Sequence, residues 1–215
     1  MQIITLSYRP LVTKLSLLLL IIHFTLASYA QTCVHTSLSK KYDFKVNIRR
    51  MPKSEDRDSF IVTINIIDKL NKNEVQKIAF GSTDISSNVF SNCKSVRSYT
   101  TGVNKSKEAE DSDFGDLIVA DLNFDSKEDL ALKNDLGGNS GPTYNFYMQD
   151  GGGNFVLNSF LTKQMGFFPS QINKISKTLV TMVHANANQL GEHTYKLDSK
   201  TNKWKEIKHR LVTVH

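Results

Sequence analysis

One stretch near the middle of the chain, residues 116–129, constrains the fold most; it reads DLIVADLNFDSKED. The apolar run 117–120 leads directly into oxygen-bearing side chains at alternate positions, and a second apolar run begins at Leu130. Oxygen ligands at positions 1, 3, 5 and 9 of a tight loop, with a main-chain carbonyl near position 7, satisfy the need of Ca²⁺ for six or more ligands. The sequence therefore predicts a β-hairpin whose acidic loop (residues 121–129) binds calcium. The predicted ligands are Asp121, Asn123, Asp125, the carbonyl of Lys127, and Asp129.

The first thirty residues have the composition of a signal peptide. Arg9 and Lys14 form a basic start, residues 15–26 are mostly apolar, and Ser28 and Ala30 place small side chains at the two positions that signal peptidase reads. The apolar segment is shorter than the roughly 20 residues that span a bilayer. We expect cleavage after Ala30 and a periplasmic or secreted mature protein that is not an integral membrane protein; an uncleaved membrane anchor is the alternative.

The mature chain, residues 31–215, is long enough for one sizeable core and short for two full domains. The formal net charge of +6 falls to +4 without the leader, which holds two basic residues and no acid. This mild excess argues against nucleic acid as a partner. An exported chain with two cysteines is expected to join them, so Cys33 and Cys93 are predicted to form one disulfide. Two free thiols would fit a chain that stays in the cytoplasm.

The patterning of the mature chain is β-like throughout. Phe44, Val46 and Ile48 alternate with polar residues, and residues 60–67 form a β-branched run. Residues 144–161 read as a hairpin around a glycine-rich turn, residues 105–113 as a solvated charged loop, and residues 169–176 hold at most one helical turn. Nine or ten short strands predict an all-β fold, a single antiparallel β-sandwich or flattened barrel with a calcium-binding hairpin loop.

The acidic loop resembles the calcium hairpins of FG-GAP and integrin-type propeller blades, in which D-x-D-x-D-G-x-x-D-L recurs. Here Ser126 stands where those loops usually have glycine, and serine tolerates a positive φ poorly. The motif occurs once, whereas a propeller needs several blades. The resemblance therefore implies a structural ion that fixes one hairpin and the loops beside it.

A glycine-rich loop (residues 137–144, GGNSGPTY) follows the predicted hairpin. Its S-G-x-x-Y portion resembles the motif of bacterial lysozyme inhibitors, small periplasmic β-proteins that push a loop into the lysozyme cleft. Together with the acidic loop, it makes residues 115–160 similar to exported proteins of the invertebrate-type lysozyme inhibitor kind. Members of that family serve as periplasmic immunity proteins against peptidoglycan-cleaving effectors and carry such a calcium loop. A second inhibitor motif, Tyr followed at short distance by Lys-Gly, is absent here.

The resemblance implies a non-catalytic function. It assigns the inhibitory contact to Gly138, Asn139, Ser140, Gly141 and Tyr144, with Ser140 offering its hydroxyl, Gly141 a close backbone approach, and Tyr144 support or a stacking surface. An ordinary hairpin connection with Tyr144 in the core is the alternative. We therefore expect an exported, calcium-binding inhibitor of a lysozyme-like peptidoglycan hydrolase.

Other functions are weighed against this one. A calcium-dependent cell-surface or carbohydrate-binding module is the alternative function. Enzymatic activity is not expected, because the sequence offers no convincing acid–base pair and no G-x-S-x-G elbow. The histidines of the mature chain show no metal-ligand spacing, so a zinc site is not predicted.

Overall fold

Three β-sheets make up the structure, a computed structural model that describes residues 30–51, 60–82, 95–105 and 112–213. The first sheet has the order β1 (Ala30–His35), β2 (Tyr42–Arg50), β3 (Phe60–Asp68), β4 (Glu74–Ser82). The second is β5 (Val96–Ser98), β6 (Leu117–Ala120), β7 (Asp129–Asp135), β8 (Thr143–Gln149), β9 (Phe155–Leu157). The third is β10 (Gln171–Asn173), β11 (Thr178–Asn186), β12 (Gln189–Asp198), β13 (Lys203–Thr213). Strands β5 and β6 pair in parallel, and the other pairings registered between these strands are antiparallel.

The second sheet lies between two hydrophobic cores. Leu117 and Val119 of β6 belong to the core shared with the first sheet, whereas Ile118 and Ala120 belong to the core shared with the third. Successive side chains of a strand point to opposite faces, so a sheet covered on both sides requires a continuous apolar run. This is why the LIVA segment shows no alternation with polar residues.

The two outer sheets each bury one face. In β3, Val62, Ile64 and Ile66 are fully buried, and the residues between them are half-exposed. In the third sheet, Leu179, Tyr195 and Trp204 face the second core, together with Phe168 from the segment before β10. The burial of β2 and β3 therefore follows the period of two that the sequence shows, whereas β13 is exposed along most of its length after Trp204.

The all-β sandwich prediction is confirmed, with three stacked sheets in the described residues where a sandwich has two. Residues 169–176, expected to hold at most one helical turn, contain no helix, because β10 pairs with β11 there. A short π-helical turn forms instead at Leu161–Met165, where the predicted strand 155–161 ends early. The side chain of Asn158 starts this turn by accepting a hydrogen bond from the backbone N–H of Leu161.

Two predictions concern residues outside the described ranges. The signal peptide falls on residues before β1, and Cys93 lies between β4 and β5 in a segment that the structure does not describe. Cys33 is buried in the first core and does not carry a free thiol. Its pairing with Cys93 stays a prediction. Within the described residues, no helix has the length and apolar character needed to cross a membrane.

Candidate functional site: two loops at opposite ends of β7

The acidic loop and the glycine-rich loop lie at opposite ends of one strand. The acidic loop leads into β7 at Asp129, and the glycine-rich loop follows the end of β7 at Asp135. A seven-residue strand spans roughly 20 Å at about 3.3 Å per residue. The acidic loop therefore cannot order the glycine-rich loop through direct contact, although the two are close in sequence.

The acidic loop is closed by hydrogen bonds from its own backbone to its side chains. The N–H of Asp125 donates to Asp121 Oδ1 at 3.0 Å and to Asn123 Oδ1 at 3.1 Å. The N–H of Ser126 donates to Asp121 Oδ2 at 3.2 Å, and the N–H of Lys127 donates to Asp125 Oδ1 at 2.9 Å. The three Asx side chains thus fold back onto the loop, which places their oxygens around one short turn.

Asp129 attaches this turn to the neighbouring strand. Its carboxylate is fully buried and accepts hydrogen bonds from the N–H groups of Leu122 and Asn123 at 2.9 and 3.2 Å. The second oxygen accepts from the N–H of Gln149, at the end of β8, at 2.9 Å. Burial raises the pKa of Asp129 to about 7, and the three N–H donors act in the opposite direction. Asp129 is therefore an anchor between the loop and β8.

The donor set fits a hard cation. Asp121 Oδ1 and Asn123 Oδ1 share one N–H donor and so lie close together, and the predicted set consists of oxygen atoms alone, as Ca²⁺ prefers. A cation must compete with Lys174, whose ammonium lies 3.2 Å from Asp121 Oδ2. The loop carboxylates also do not bring three ligand atoms within 4.8 Å of one another, as judged over the described residues. Calcium would thus draw these side chains inward and displace Lys174.

The backbone at Ser126 is in the left-handed region, with a φ of 68°. This conformation disfavours side chains with a Cβ by roughly 1–2 kcal/mol. We expect Ser126→Gly to raise the free energy of unfolding by about 1 kcal/mol, measured by urea denaturation. Ser126→Ala is the matched control and should not raise the free energy of unfolding, since alanine keeps the Cβ. Equal stability of the glycine and alanine variants would contradict strain at this position.

The acidic loop also contacts all three sheets. Its Lys127 ammonium donates to the carbonyl of Asp150, in the turn between β8 and β9, at 3.0 Å. Glu128 accepts a hydrogen bond from the Ser39 hydroxyl, just before β2. The contact with Lys174, just after β10, adds the third sheet. An ion in this loop would therefore fix the end of the molecule where the first two sheets meet, and it would replace the Lys174 contact with the third sheet.

The glycine-rich loop adopts one tight conformation that depends on glycine. Residues Gly138–Ser140 form a 3-10 helix, and φ is positive at Gly137, Gly138 and Gly141. A Cβ built on Gly137 would lie 1.7 Å from the carbonyl oxygen of Gly141, which no side chain can tolerate. The N–H of Gly137 donates to the carboxylate of Asp135 at 2.7 Å. The shape of this loop therefore requires glycine at Gly137.

The tip of the glycine-rich loop shares a cleft with a second turn. Asn139 is exposed, Ser140 is half-buried, and the Ser140 hydroxyl has no hydrogen-bond partner among the described residues. Both residues line a cleft of about 450 Å³ with residues 184–187 of the β11–β12 turn. No role was predicted from the sequence for this second turn. The polar pair Asn186 and Asn188 between two strands is the signal that marks it as a turn.

Tyr144 lies in the second core and not at the loop surface. Its side chain is fully buried, and its ring packs edge-on against Phe168 with the centroids 5.8 Å apart. Its hydroxyl accepts a hydrogen bond from the N–H of Phe114 at 3.2 Å, and burial raises its pKa well above the usual value. Tyr144 thus lies in the core, as the alternative of an ordinary hairpin connection expects, and its burial leaves no surface for stacking on a partner. Support of the loop by Tyr144 stays a prediction.

A buried ion cluster lies beside Tyr144. Lys133, the register partner of Tyr144, has a side chain that is 2% exposed. Its ammonium lies 2.8 Å from a carboxylate oxygen of buried Asp116 and 2.7 Å from both oxygens of the more exposed Asp113. This cluster sits at the glycine-rich end of the second sheet. The cluster therefore supports the glycine-rich end of β7, as the calcium ion was expected to support the hairpin and the loops beside it.

Comparisons with known proteins give one fold-level match. No family model matches the chain, and no curated protein matches it. A solved structure described as "Structure of a Xanthomonas Type IV Secretion System related protein" is similar, with a TM-score of 0.53 and 15% sequence identity. The similarity covers 85% of this chain and 87% of that chain. At this identity, the comparison shows that the two chains share a fold.

Proposed function

We propose that the protein is an exported binding protein without enzymatic activity that inhibits a lysozyme-like peptidoglycan hydrolase with its glycine-rich loop. The observation that carries this proposal is the shape of the loop, a tight turn that its positive-φ glycines permit, with Asn139 and Ser140 at its tip. Two hydrogen bonds close the turn, from the N–H of Gly137 to Asp135 and from the N–H of Gly141 to the carbonyl of Gly138. Such preordering of a binding loop lowers the entropy lost on association.

The chemistry of the tip suits the proposed target. A lysozyme-type cleft presents two carboxyl groups, of which one is protonated and one is ionised. The Ser140 hydroxyl can both donate and accept a hydrogen bond, and backbone N–H groups next to glycine can approach an ionised carboxylate closely. The β11–β12 turn lies on the other side of the cleft at Ser140 and offers a second contact. That turn would take the place of the second inhibitor motif, which this sequence lacks.

The comparison and the fold are compatible with this proposal. The similar Xanthomonas structure is described as related to a type IV secretion system, which agrees with a secretion-related, periplasmic protein. The sequence assigns residues 1–30 to a signal peptide, which leads to the same location. A lysozyme-like hydrolase that acts on peptidoglycan would be present in the same compartment, the periplasm.

The experiment that tests the proposal is an inhibition assay with the mature protein. Lysis of peptidoglycan-containing cells is followed by turbidity with lysozymes of the main classes and with any hydrolase that a neighbouring gene encodes. We expect the mature protein to slow at least one of them with 1:1 stoichiometry. Failure to slow any enzyme of this panel would contradict the proposed inhibitor function.

Calcium is part of the same proposal, as a structural ion in the acidic loop. We expect the melting temperature of the mature protein to be higher with calcium than with chelator, because an ion that binds the native state alone stabilises it. Asp121→Ala should abolish the difference, whereas Asp43→Ala, which removes a half-buried carboxylate of the first sheet paired with Lys72, should leave the difference intact. Coincident melting curves with calcium and with chelator would show that the loop is only a turn.

A calcium-dependent carbohydrate-binding module is the second candidate. A cleft of about 450 Å³ with a mixed polar and apolar lining lies beside the acidic loop, and its polar side chains include Asn123, Asp125, Gln149 and Asp150. Amides and carboxylates of this kind bind sugar hydroxyls. Binding of the mature protein to isolated cell walls without any hydrolase, lost on chelation, would favour this candidate over the inhibitor.

A further inference from the structure

We propose a second metal site, for a divalent transition metal, formed by His193, Glu206 and His209 on the third sheet. One imidazole nitrogen from each histidine and one carboxylate oxygen of Glu206 lie within 4.8 Å of one another. In the part of the chain that the structure describes, no other three His, Cys, Asp or Glu side chains meet this condition. The site is separate from both loops described above and does not depend on the proposed function.

Strand pairing brings the two histidines together. His193 of β12 and His209 of β13 are direct register partners, and their rings stack with centroids 4.2 Å apart and planes within 10°. The ring of His193 also lies parallel to that of buried Tyr195, at 6.3 Å. The two imidazoles therefore lie side by side on one face of the sheet, and the rings must turn for their in-plane nitrogen lone pairs to meet one ion.

A β-bulge brings the carboxylate to the same place. The register of β12 and β13 shifts between Thr194 and Tyr195, so Glu206 and not Ile207 lies opposite Tyr195. Glu206 Oε1 consequently lies 2.8 Å from His193 Nδ1. A carboxylate in contact with a metal-binding imidazole either joins the ligand set or fixes the ring orientation, and both roles increase the affinity for the metal.

Gly191 leaves open the space that the two rings face. A Cβ built on Gly191 would lie 3.0 Å from His193 Nε2 and 3.7 Å from His209 Nε2. Both Nε2 atoms therefore lie over this one backbone position, where no side chain intrudes. The neighbouring basic residues do not compete, because Lys208 and Arg210 alternate with His209 along β13 and form ion pairs with Glu192.

The ligand types define the class of metal. Two imidazoles with one carboxylate suit Zn²⁺, Cu²⁺ or Ni²⁺, whereas calcium prefers a set made of oxygen alone. The two histidines supply two ligands, and Glu206 is either a third ligand or the group that orients His193, so coordination positions remain for water in both cases. The side chains of His193 and Glu206 are 27% and 42% exposed, so an ion reaches the site without any opening of the fold.

The test is calorimetric titration of the tag-free mature protein with ZnCl₂ in the presence of calcium, repeated with Co²⁺ so that its visible absorption reports the ligand field. We expect one zinc per chain. His193→Ala and His209→Ala should each weaken binding by at least about 100-fold, and Glu206→Gln by roughly 10–100-fold, the range found when a group that orients a ligand is removed. Gly191→Ala should also weaken binding, because its methyl group would occupy the space beside His193 Nε2.

The matched control is His184→Ala, which removes a histidine of the same sheet outside the cluster and should leave the affinity unchanged. Thermal melting of each variant establishes whether it is folded. Absence of zinc binding by the wild-type protein would overturn the proposal. It would be overturned equally if wild type, His193→Ala and His209→Ala bound zinc alike, or if His184→Ala lost binding.

Discussion

Lys133→Met is expected to lower the free energy of unfolding by about 3–5 kcal/mol, because it removes the cation from a buried ion pair. Methionine has a similar length and is apolar, so the packing of the side-chain stem is kept. The Lys133 ammonium lies 2.8 Å from the buried Asp116 carboxylate. Without it, a negative charge stays in the interior with less compensation. Urea denaturation followed by circular dichroism measures the loss.

Two further variants separate this effect from a general loss of charge. Lys133→Met combined with Asp116→Leu removes both buried charges and should recover much of the stability, since replacing a whole buried pair by apolar residues is often neutral. Lys72→Met is the surface control: its ammonium is 69% exposed and 3.3 Å from Asp43, so the change should stay within about 0.5 kcal/mol. A loss below about 1 kcal/mol for Lys133→Met would contradict a supporting role for this pair.

The sequence predicts the outer strands well because each buries one face. Phe44, Val46 and Ile48 point into the first core as their alternation indicates. A single sandwich was predicted, so the third sheet was missed. The uninterrupted apolar run of β6 is nevertheless the pattern of a strand covered on both sides, and such a strand needs a sheet on each side of its own. Local pattern thus gives the strands, whereas the stacking of sheets depends on which apolar faces meet across long sequence separations.

Side-chain clusters were harder to predict because they depend on tertiary contacts. Lys133 sits at the end of an apolar run and reads as the point where a strand becomes exposed, yet it is buried against Asp116 and Asp113. Lysines are rarely buried unless paired, and one of the two partners, Asp113, comes from the segment 105–113, which was predicted to be a solvated charged loop. No pattern within one segment reveals such a pair.

The histidine cluster shows the same limit at the level of register. Continuing the pairing of Asp198 with Lys203 along the hairpin would place Lys208 opposite His193, which gives no metal site. The bulge at Thr194/Tyr195 shifts the pairing by one residue and places His209 there instead. The histidine cluster therefore depends on one β-bulge, and no pattern in the sequence predicts that bulge.

Gly137→Ala is expected to weaken inhibition of the target hydrolase by at least about 30-fold, or about 2 kcal/mol, the size of a binding hot spot. The Cβ would overlap the Gly141 carbonyl oxygen at 1.7 Å, and the backbone φ of 66° disfavours alanine. The loop must change shape, which moves Asn139 and Ser140 away from their positions. The inhibition constant is measured by turbidity with an enzyme that the wild-type protein inhibits.

A glycine series separates loop shape from other effects of the substitution. Gly138→Ala adds a methyl group with open space around it but keeps a φ of 57°. Backbone strain alone should therefore weaken inhibition to an intermediate degree. Gly151→Ala has neither overlap nor a positive φ and lies in the turn at the opposite end of β8, so inhibition should be unchanged. If folded Gly137→Ala, checked by its melting curve, inhibited as strongly as Gly151→Ala, the inhibitory contact would have to lie elsewhere. The β11–β12 turn, which lines the same cleft, would then be the first surface to vary.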